Sequence, residues 1–232
     1  MKPQIGDAHW DSPDGYFRIA YGEEGLKRAA AETAKRVVTT LVVPWERRKA
    51  KKVAGTRQPL LLHLGCAETY INGWCNVDYA RPGRRVDLRW DLRRPLPFQA
   101  GGAQAIFSEH VLEHIPYPGA MRLLRECWRL LEVGGVCRIG VPDIEQYVRS
   151  YMGQNSLIDE ARPHRPTRGL AMAEVFYRFG HRSAYDVATL SVMANAAGFS
   201  KSEASTFGGG RIVPNVDSPA RKGETLYFDA VK

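Results

Sequence analysis

Short apolar segments recur along the chain from residue 59 onward, and segments with helical periodicity separate several of them. Continuous apolar runs of about five residues are typical of strands that are buried on both faces of a sheet. The predicted strands cover residues 60–64, 74–78, 86–90, 103–107, 136–141, 199–206 and 224–231. Strands that alternate with helices form a parallel sheet with helices on both faces, and the two late strands indicate an antiparallel edge. The pattern therefore predicts an α/β fold of about seven strands, mostly parallel.

Two helices in the second half of the chain are marked by periodicity and by their ends. The first has an apolar face, which consists of Met121, Leu124, Trp128 and Leu131. The pair Gly134-Gly135 predicts the end of that helix. The second helix begins at Ser183-x-x-Asp186, which has the form of a capping box, and ends at Gly198.

Residues 1–57 differ from the rest and predict an N-terminal extension ahead of a domain over residues 58–232. A helix is predicted from Glu23 to Val43, where Pro44 ends it and a basic stretch over residues 46–57 follows. The apolar face of this helix consists of Leu26, Ala30, Val37 and Leu41. Docking on the main domain is the expected outcome, with dimerisation or contact with a membrane surface as alternatives.

Composition excludes several classes of protein. The 232 residues suit one domain with an extension, and 44% hydrophobic content argues against disorder. No apolar run reaches the roughly 18 residues that span a bilayer, and the N-terminus lacks the apolar region of a secretory signal. The four cysteines form no C-x-x-C pair, which indicates reduced thiols in a cytoplasmic protein; they are Cys66, Cys75, Cys127 and Cys137.

The 33 basic and 25 acidic residues give a net charge of +8, and positive charge is concentrated in residues 47–57 and 81–94. Such fields attract phosphates, anionic lipid headgroups or nucleic acid, although a solvated basic surface is the ordinary alternative. Nucleic acid is not an expected partner, because aromatic side chains are not interleaved with the arginines as a base-stacking platform requires. Binding to membranes or nucleic acid through the basic N-terminal segment stays open as an alternative function.

Small and acidic residues follow the predicted strands, at the edge where ligands bind in an open α/β sheet. Gly65 follows the first strand and lets the backbone pass close to a ligand. Asp78 and Asp91 follow the second and third strands, and a carboxylate at the end of the second can accept both hydroxyls of a ribose. The fingerprint G-x-G-x-x-G is absent, and Asp78 follows Gly65 by 13 residues rather than about 20. These features indicate a nucleoside-containing cofactor without a pyrophosphate.

Six strings resemble class I S-adenosylmethionine-dependent methyltransferases, in the small type-11-like branch with a shortened first crossover. They are LHLGCAETYINGWCNVDY, DLRRPLPF, IFSEHVLEHI, LLEVGGVCRIGVPD, GHRSAYDVATLSVMANAAGF and GETLYFDAVK. The resemblance covers residues 59–232 and implies a Rossmann-like fold with S-adenosylmethionine as cofactor. It further implies methyl transfer to a small-molecule or glycan-linked acceptor, with oxygen favoured over nitrogen. The positive field suits an acceptor that carries a phosphate.

The resemblance also implies positions that bind the cofactor, which are Gly65, Cys66, Ala67, Asp78, Asp91, Leu92, Ser108 and Glu109. Gly65 lies in the turn beneath the methionine moiety, Asp78 holds the ribose, and Asp91 contacts the adenine. Ser108 and Glu109 line the methyl-transfer site. Ala67 stands where the family has a second glycine, so a relative that has lost cofactor binding and activity is an alternative reading.

Three residues are candidates for removing a proton from a hydroxyl acceptor: His110, His181 and Asp143. His110 is the first choice, because the reference pKa of histidine, about 6.5, suits proton abstraction at neutral pH. His181, together with Tyr185, is a candidate for substrate contact or for the base. Asp143 is weaker because it can cap the helix that follows, and His63 is expected to be a hydrogen-bonded core histidine.

The string His110-Val-Leu-Glu113-His114 also matches the inverted zinc-peptidase signature H-x-x-E-H. Helical spacing would place both histidines on one face, as two zinc ligands require. Pro116 and Pro118 end such a helix within about one turn, and no helix with a clear third ligand follows. The sequence therefore predicts no metal site.

Overall fold

A seven-stranded sheet organises the chain in the computed structural model, which describes residues 30–31, 33–34, 37–38, 40–79, 85–177 and 179–232. The strands are β1 (Leu60–Leu64), β2 (Cys75–Asp78), β3 (Leu88–Arg89), β4 (Ala103–Glu109), β5 (Leu131–Pro142), β6 (Lys201–Ser205) and β7 (Thr225–Val231). The helices include α1 (Val43–Thr56), α2 (Tyr117–Leu130), α3 (Ile144–Tyr151), α4 (Leu157–Ala161), α5 (Arg168–Tyr177) and α6 (Val187–Ala197). No helix in the described ranges is long and apolar enough to cross a membrane.

The strand order is β3-β2-β1-β4-β5-β7-β6, which confirms the predicted fold class. Strands β1 to β5 are parallel, whereas β7 runs antiparallel to both β5 and β6. The chain leaves β1 towards β2 and β3 on one side and returns to β4 on the other side. The carboxyl ends of β1 and β4 therefore flank the point where the strand order reverses, which is where such sheets bind ligands.

Strand β1 is central, and its residues explain why it forms there. Leu60, Leu62 and Leu64 are buried in the main core, as a strand covered on both faces requires. His63 is also buried, and its Nδ1 lies 3.0 Å from Asn76 Oδ1 on the neighbouring strand β2. Burial lowers the pKa of His63, so this histidine serves the core as expected.

The basic stretch after Pro44 is helical, which the sequence did not predict, while the upstream helical residues end at Leu41, close to the predicted end at Val43. Pro44 lies in the first turn of α1, where its missing N–H is not needed. Glu46 and Ala50 of α1 are buried against the sheet, and the Glu46 carboxylate accepts the backbone N–H of Arg89 at 3.0 Å. The helical face predicted upstream is not buried at Val37 and Leu41, while Leu26 lies outside the described residues. The division at residue 57 stays a prediction.

Two predicted helix boundaries are wrong: the end of α2 and the start of α6. Helix α2 ends at Leu130 because Leu131 already belongs to β5, so Gly134-Gly135 lies within the strand. Asp186 caps α6 by accepting the Thr189 N–H at 2.7 Å. Ser183 takes no part in that cap, since its hydroxyl donates to the Ile115 carbonyl at 3.0 Å. The predicted end of α6 at Gly198, which adopts φ +104°, is confirmed.

Candidate active site

The turn after β1 brings backbone, without side-chain bulk, to the carboxyl edge of the sheet. Gly65 adopts φ +70°, and a Cβ at this position would overlap the side chain of Val111. Its N–H donates to the Val77 carbonyl at 2.8 Å, which ties the turn to the end of β2. Cys66 is buried beside it. No other residue type fits at position 65.

Asp78 joins the turn after β1 to the loop after β2. Its Oδ2 accepts the N–H of Ala67 at 2.7 Å, and its Oδ1 accepts the N–H of Tyr79 at 2.6 Å. Ala67 adopts φ +45°, a left-handed conformation that L-residues other than glycine rarely occupy. A carboxylate offers about four lone-pair sites, so Asp78 retains acceptor capacity for a ligand hydroxyl.

Asp91 lies just beyond β3 in a cluster of polar side chains. Its Oδ1 accepts from Arg93 Nε at 2.8 Å and from the Tyr79 hydroxyl at 3.1 Å, and its Oδ2 accepts from Arg93 Nη2 at 2.8 Å. The Arg93 guanidinium also hydrogen-bonds the Tyr79 hydroxyl and lies over the Tyr79 ring. Leu92 packs against the main core. The sequence reading had treated Arg93 only as part of a basic stretch.

Ser108 and Glu109 belong to β4 itself rather than to the loop after it. Ser108 is buried, and its hydroxyl has no hydrogen-bond partner in the structure. The Glu109 carboxylate accepts the Ser218 N–H at 3.2 Å and the Tyr227 hydroxyl at 3.4 Å. Burial raises the pKa of Glu109 to about 7 despite these two donors.

His110 is held with both ring nitrogens directed at protein atoms. Its Nε2 lies 2.8 Å from the Thr225 hydroxyl, which already donates its single proton to the Arg221 carbonyl at 2.7 Å. Nε2 must therefore carry the imidazole proton and donate to Thr225, which assigns the tautomer. Burial lowers the pKa of His110 to about 3, so the ring is neutral. Its unprotonated Nδ1 lies 3.5 Å from Glu113 Oε1.

The helix expected from His110 to His114 does not form, so the inverted zinc-peptidase geometry is absent at that string. His110 adopts φ +54°, and Leu112–His114 form a 3-10 turn. The two histidines consequently do not share a helical face. Because of this turn, Glu113 points inward and is fully buried, and burial raises its pKa to about 8.

His181 joins this group from the segment after α5. Its ring meets that of His114 edge-on, with the centroids 4.9 Å apart. Burial lowers the pKa of His181 to about 4, and neighbouring positive groups act in the same direction. From the sequence, Glu113 and His114 were weighed only within the H-x-x-E-H string and were not paired with His181.

Asp143 and Tyr185 take structural positions near the site. Asp143 caps α3, where its Oδ1 accepts the N–H of Glu145 at 3.0 Å and its Oδ2 accepts from the Gln146 side chain at 3.1 Å. Tyr185 is fully buried, and its hydroxyl oxygen lies 3.0 Å from the Ser183 hydroxyl oxygen. Burial raises the pKa of Tyr185 to about 12. Neither residue is arranged to accept a proton from a ligand.

Helices α3, α4 and α5 form a cap beside the carboxyl end of β5. The cap has its own small core, which consists of Tyr147, Ile158, Ala171 and Val175. A narrow cleft lies between the cap and the sheet, and its lining includes Glu113, Pro142, Tyr147, Phe176 and His181. The Tyr147 hydroxyl donates to Glu224 at 2.7 Å and so ties the cap to the start of β7.

Comparison with known proteins agrees with this arrangement. Residues 76–139 match the model of a methyltransferase domain family. The chain is similar to an O-methyltransferase family protein from Burkholderia thailandensis at 13% identity and a TM-score of 0.51, over 97% of this chain and 68% of that one. It is also similar to a SAM-dependent methyltransferase from Archaeoglobus fulgidus at 14% identity and a TM-score of 0.47, over 85% and 94% of the two chains. No curated protein matches the sequence.

The matched stretch runs from β2 to β5 and contains Asp78, Asp91 and the polar end of β4. The residues at this edge fit an adenosine-containing cofactor, because the left-handed turn at Gly65 lies at the carboxyl end of β1 and Asp78 retains acceptor sites for hydroxyls. The family match over residues 76–139 and the strand order together support a class I S-adenosylmethionine-dependent methyltransferase, an enzyme that takes its methyl group from S-adenosylmethionine.

Proposed function

We propose that the enzyme methylates an oxygen of a small-molecule or glycan-linked acceptor that carries a phosphate. The observation that carries the proposal is the position of His181, a neutral imidazole on the wall of the cleft between the cap and the sheet. At neutral pH this imidazole is unprotonated and can accept a proton from a hydroxyl as the oxygen attacks, although its lowered pKa makes it a weaker base than an ordinary histidine. A neutral amine can attack the methyl group without a base, whereas a hydroxyl must lose its proton. A histidine in the cleft therefore favours an oxygen acceptor.

The cofactor-binding roles follow the elements on which the residues lie. Asp78 would hold the ribose hydroxyls, and Asp91 with Leu92 would contact the adenine. Gly65, Cys66 and Ala67 would pass beneath the methionine moiety, which ends near Ser108 and Glu109. S-adenosylmethionine, when bound, supplies a methyl group activated by its sulfonium. The protein then needs to align the acceptor oxygen and remove one proton.

His181 is the best placed of the three candidate bases. Both ring nitrogens of His110 are directed at Thr225 and Glu113, so His110 acts as a positioning residue for the turn after β4. Asp143 caps α3 through both carboxylate oxygens. His181 alone of the three candidates lies on the cleft wall.

Two arginines near His181 support an anionic acceptor. The positive fields of Arg162 and Arg221 reach the His181 imidazole and help to lower its pKa, while Glu224, which is paired with Arg221, acts in the opposite direction. Such a field attracts a phosphate and favours its retention in the cleft. None of the four cysteines forms a disulfide and all are buried, which supports action in the reducing cytoplasm.

The test is methyl transfer from methyl-labelled S-adenosylmethionine to sugar phosphates, each paired with its amino-sugar phosphate. We expect products methylated at oxygen, identified by NMR. His181→Ala should lower kcat by about 100-fold or more, the usual contribution of a general base, with cofactor affinity unchanged. His164→Ala, a histidine bonded to Glu174 in the cap, serves as the matched control. Methylation of the amines alone, or unchanged kcat in His181→Ala, would overturn the proposal.

A further inference from the structure

Three metal-ligating side chains converge beside the cleft. Glu113, His114 and His181 each present one ligand atom, and these atoms lie within 4.8 Å of one another. His114 Nε2 is 3.8 Å from Glu113 Oε1. Two of the residues come from the 3-10 turn after β4, and the third comes from the segment after α5. The group is therefore assembled by the fold rather than by one sequence motif.

The Glu113 carboxylate supplies a second, independent observation. It is fully buried, and neither of its oxygens has a hydrogen-bond partner. A buried polar group without a partner is strongly unfavourable and is rare in native proteins. The nearest facing group, His110 Nδ1, is an acceptor as well in the tautomer that Thr225 requires. Two acceptors that face each other at 3.5 Å require a positive group beside them, which is either a proton on the Glu113 carboxylate or a metal ion.

We propose that Glu113, His114 and His181 bind one divalent transition-metal ion, for which Zn²⁺ is the best match. Two imidazoles and one carboxylate form the ligand set of catalytic zinc sites, which keep a fourth position open. This mixed nitrogen and oxygen set is poor for Mg²⁺ or Ca²⁺, which prefer oxygen ligands alone. The ion would balance the charge of the buried carboxylate.

Binding requires a modest closure of the ligands. A tetrahedral Zn²⁺ ion with bonds of about 2.0–2.1 Å holds its ligand atoms about 3.3 Å apart. The His114 side chain is 42% exposed and therefore has room to rotate towards Glu113. Glu113 is fixed by its burial and provides the rigid ligand. The sequence-based expectation of no metal relied on the absence of a third ligand helix, whereas the third ligand lies here on a distant segment.

The ion would also affect the chemistry of the cleft. Glu113 and His181 both line the cleft, so the open coordination position is accessible to a ligand there. With the ion bound, His181 would be a ligand rather than the base, and the ion would supply the activation of the acceptor hydroxyl that the imidazole supplies in the metal-free protein. This consequence rests on the proposed function, whereas metal binding itself does not.

The experiment uses the tag-free full chain without cofactor or acceptor. Zn²⁺ is titrated by calorimetry, and Co²⁺ is titrated while its visible absorption is recorded. We expect one equivalent to bind, with the intense bands of four-coordinate Co²⁺. Removal of one ligand should weaken binding by about 100-fold or more in each of the variants His114→Ala, His181→Ala and Glu113→Gln. This loss exceeds the roughly 10–100-fold that follows removal of a residue that only hydrogen-bonds a metal ligand. His164→Ala should bind as the wild type does.

His114→Ala is the decisive variant, because His114 is the most exposed ligand and its removal leaves the core intact. Circular dichroism and S-adenosylmethionine binding verify that each variant is folded. Failure to bind one equivalent of either ion, or equal affinity in wild type and His114→Ala, would overturn the inference and assign a proton to Glu113 instead. Stoichiometric metal binding with no methyl transfer would contradict the proposed function alone.

Discussion

Ala67 donates its backbone N–H to the Asp78 carboxylate across 2.7 Å, from a left-handed conformation that glycine would adopt without strain. The predicted ribose ligand is thus also the group that holds the cofactor turn in shape. Binding and local structure are coupled through this single hydrogen bond. Variants at the two positions separate these contributions.

Ala67→Gly should raise the free energy of unfolding by about 0.5 kcal/mol. The left-handed conformation costs an alanine about 1–2 kcal/mol, and the substitution removes this strain. The greater conformational entropy of glycine in the unfolded state cancels about 0.5–1 kcal/mol of that gain. Urea denaturation measures the change. Ala196→Gly, at an exposed position in α6, is the control and should lower stability by about 1 kcal/mol. A loss of stability in Ala67→Gly comparable to that of the control would contradict the strain argument.

Asp78→Ala should weaken S-adenosylmethionine binding by about 100-fold or more. Loss of two hydrogen bonds to a charged acceptor, each worth about 1.5–3 kcal/mol, accounts for this magnitude. The variant should remain folded but less stable, because the N–H groups of Ala67 and Tyr79 lose their acceptor. Calorimetry measures affinity, and Asp159→Ala at an exposed acid in α4 is the matched control. Wild-type affinity in Asp78→Ala would remove the ribose assignment.

Glu109 should make the protein less stable as pH rises from about 4.5 to 7. Burial raises its folded pKa to about 7, above the ordinary value of 4.5, so the folded state holds the proton more tightly than the unfolded state. Stability from this group is fully present below pH 4.5 and is lost as pH rises through 7. Urea denaturation of wild type and Glu109→Gln across this range tests the effect. Parallel pH profiles for the two proteins would contradict it.

Asp217→Ala should destabilise the protein by about 3–5 kcal/mol, the usual effect of removing one partner from a buried ion pair. Arg138 in β5 is fully buried, and its guanidinium donates to Asp217 from Nε and Nη2 at 2.6 Å each and to Asp229 at 2.9 Å. Removal of Asp217 leaves part of that buried charge uncompensated. Thermal unfolding measures the loss.

The control for this prediction is Glu145→Ala, which removes an exposed pair with Arg149 on α3. Exposed pairs of this kind contribute at most about 1 kcal/mol, so the control should unfold close to wild type. Similar losses in the two variants would show that the Arg138 cluster contributes no more than a surface pair.

The fold could be predicted from the sequence because its strands are fully buried and therefore read as apolar runs. The run LLLHL at β1 needs no tertiary information, and the left-handed Gly198 marks the end of α6. The end of α2 and the start of α6 were misplaced, because the start of β5 at Leu131 and the cap at Asp186 are set by packing. The sequence near a helix end offers several plausible stops, and tertiary contacts select among them.

The sequence could locate only those candidate site residues whose place follows directly from the end of a predicted strand. Asp78 and Asp91 lie where the alternation of strands and helices predicted them. The choice of His110 as base depended on side-chain direction, which the left-handed backbone at this residue and the hydroxyl of Thr225 decide. Glu113 and His181 are far apart in the sequence and come together only in the folded chain. No local sequence pattern can therefore predict that they are neighbours.

The antiparallel direction of β7 places its first residue, Thr225, against His110 at the carboxyl edge of the parallel strands. Thr225 lies 115 residues after His110 in the sequence. The tautomer of His110 is therefore fixed by the long-range pairing of β7 with β5, and a shift in the register of that pairing would leave the histidine without its hydroxyl partner.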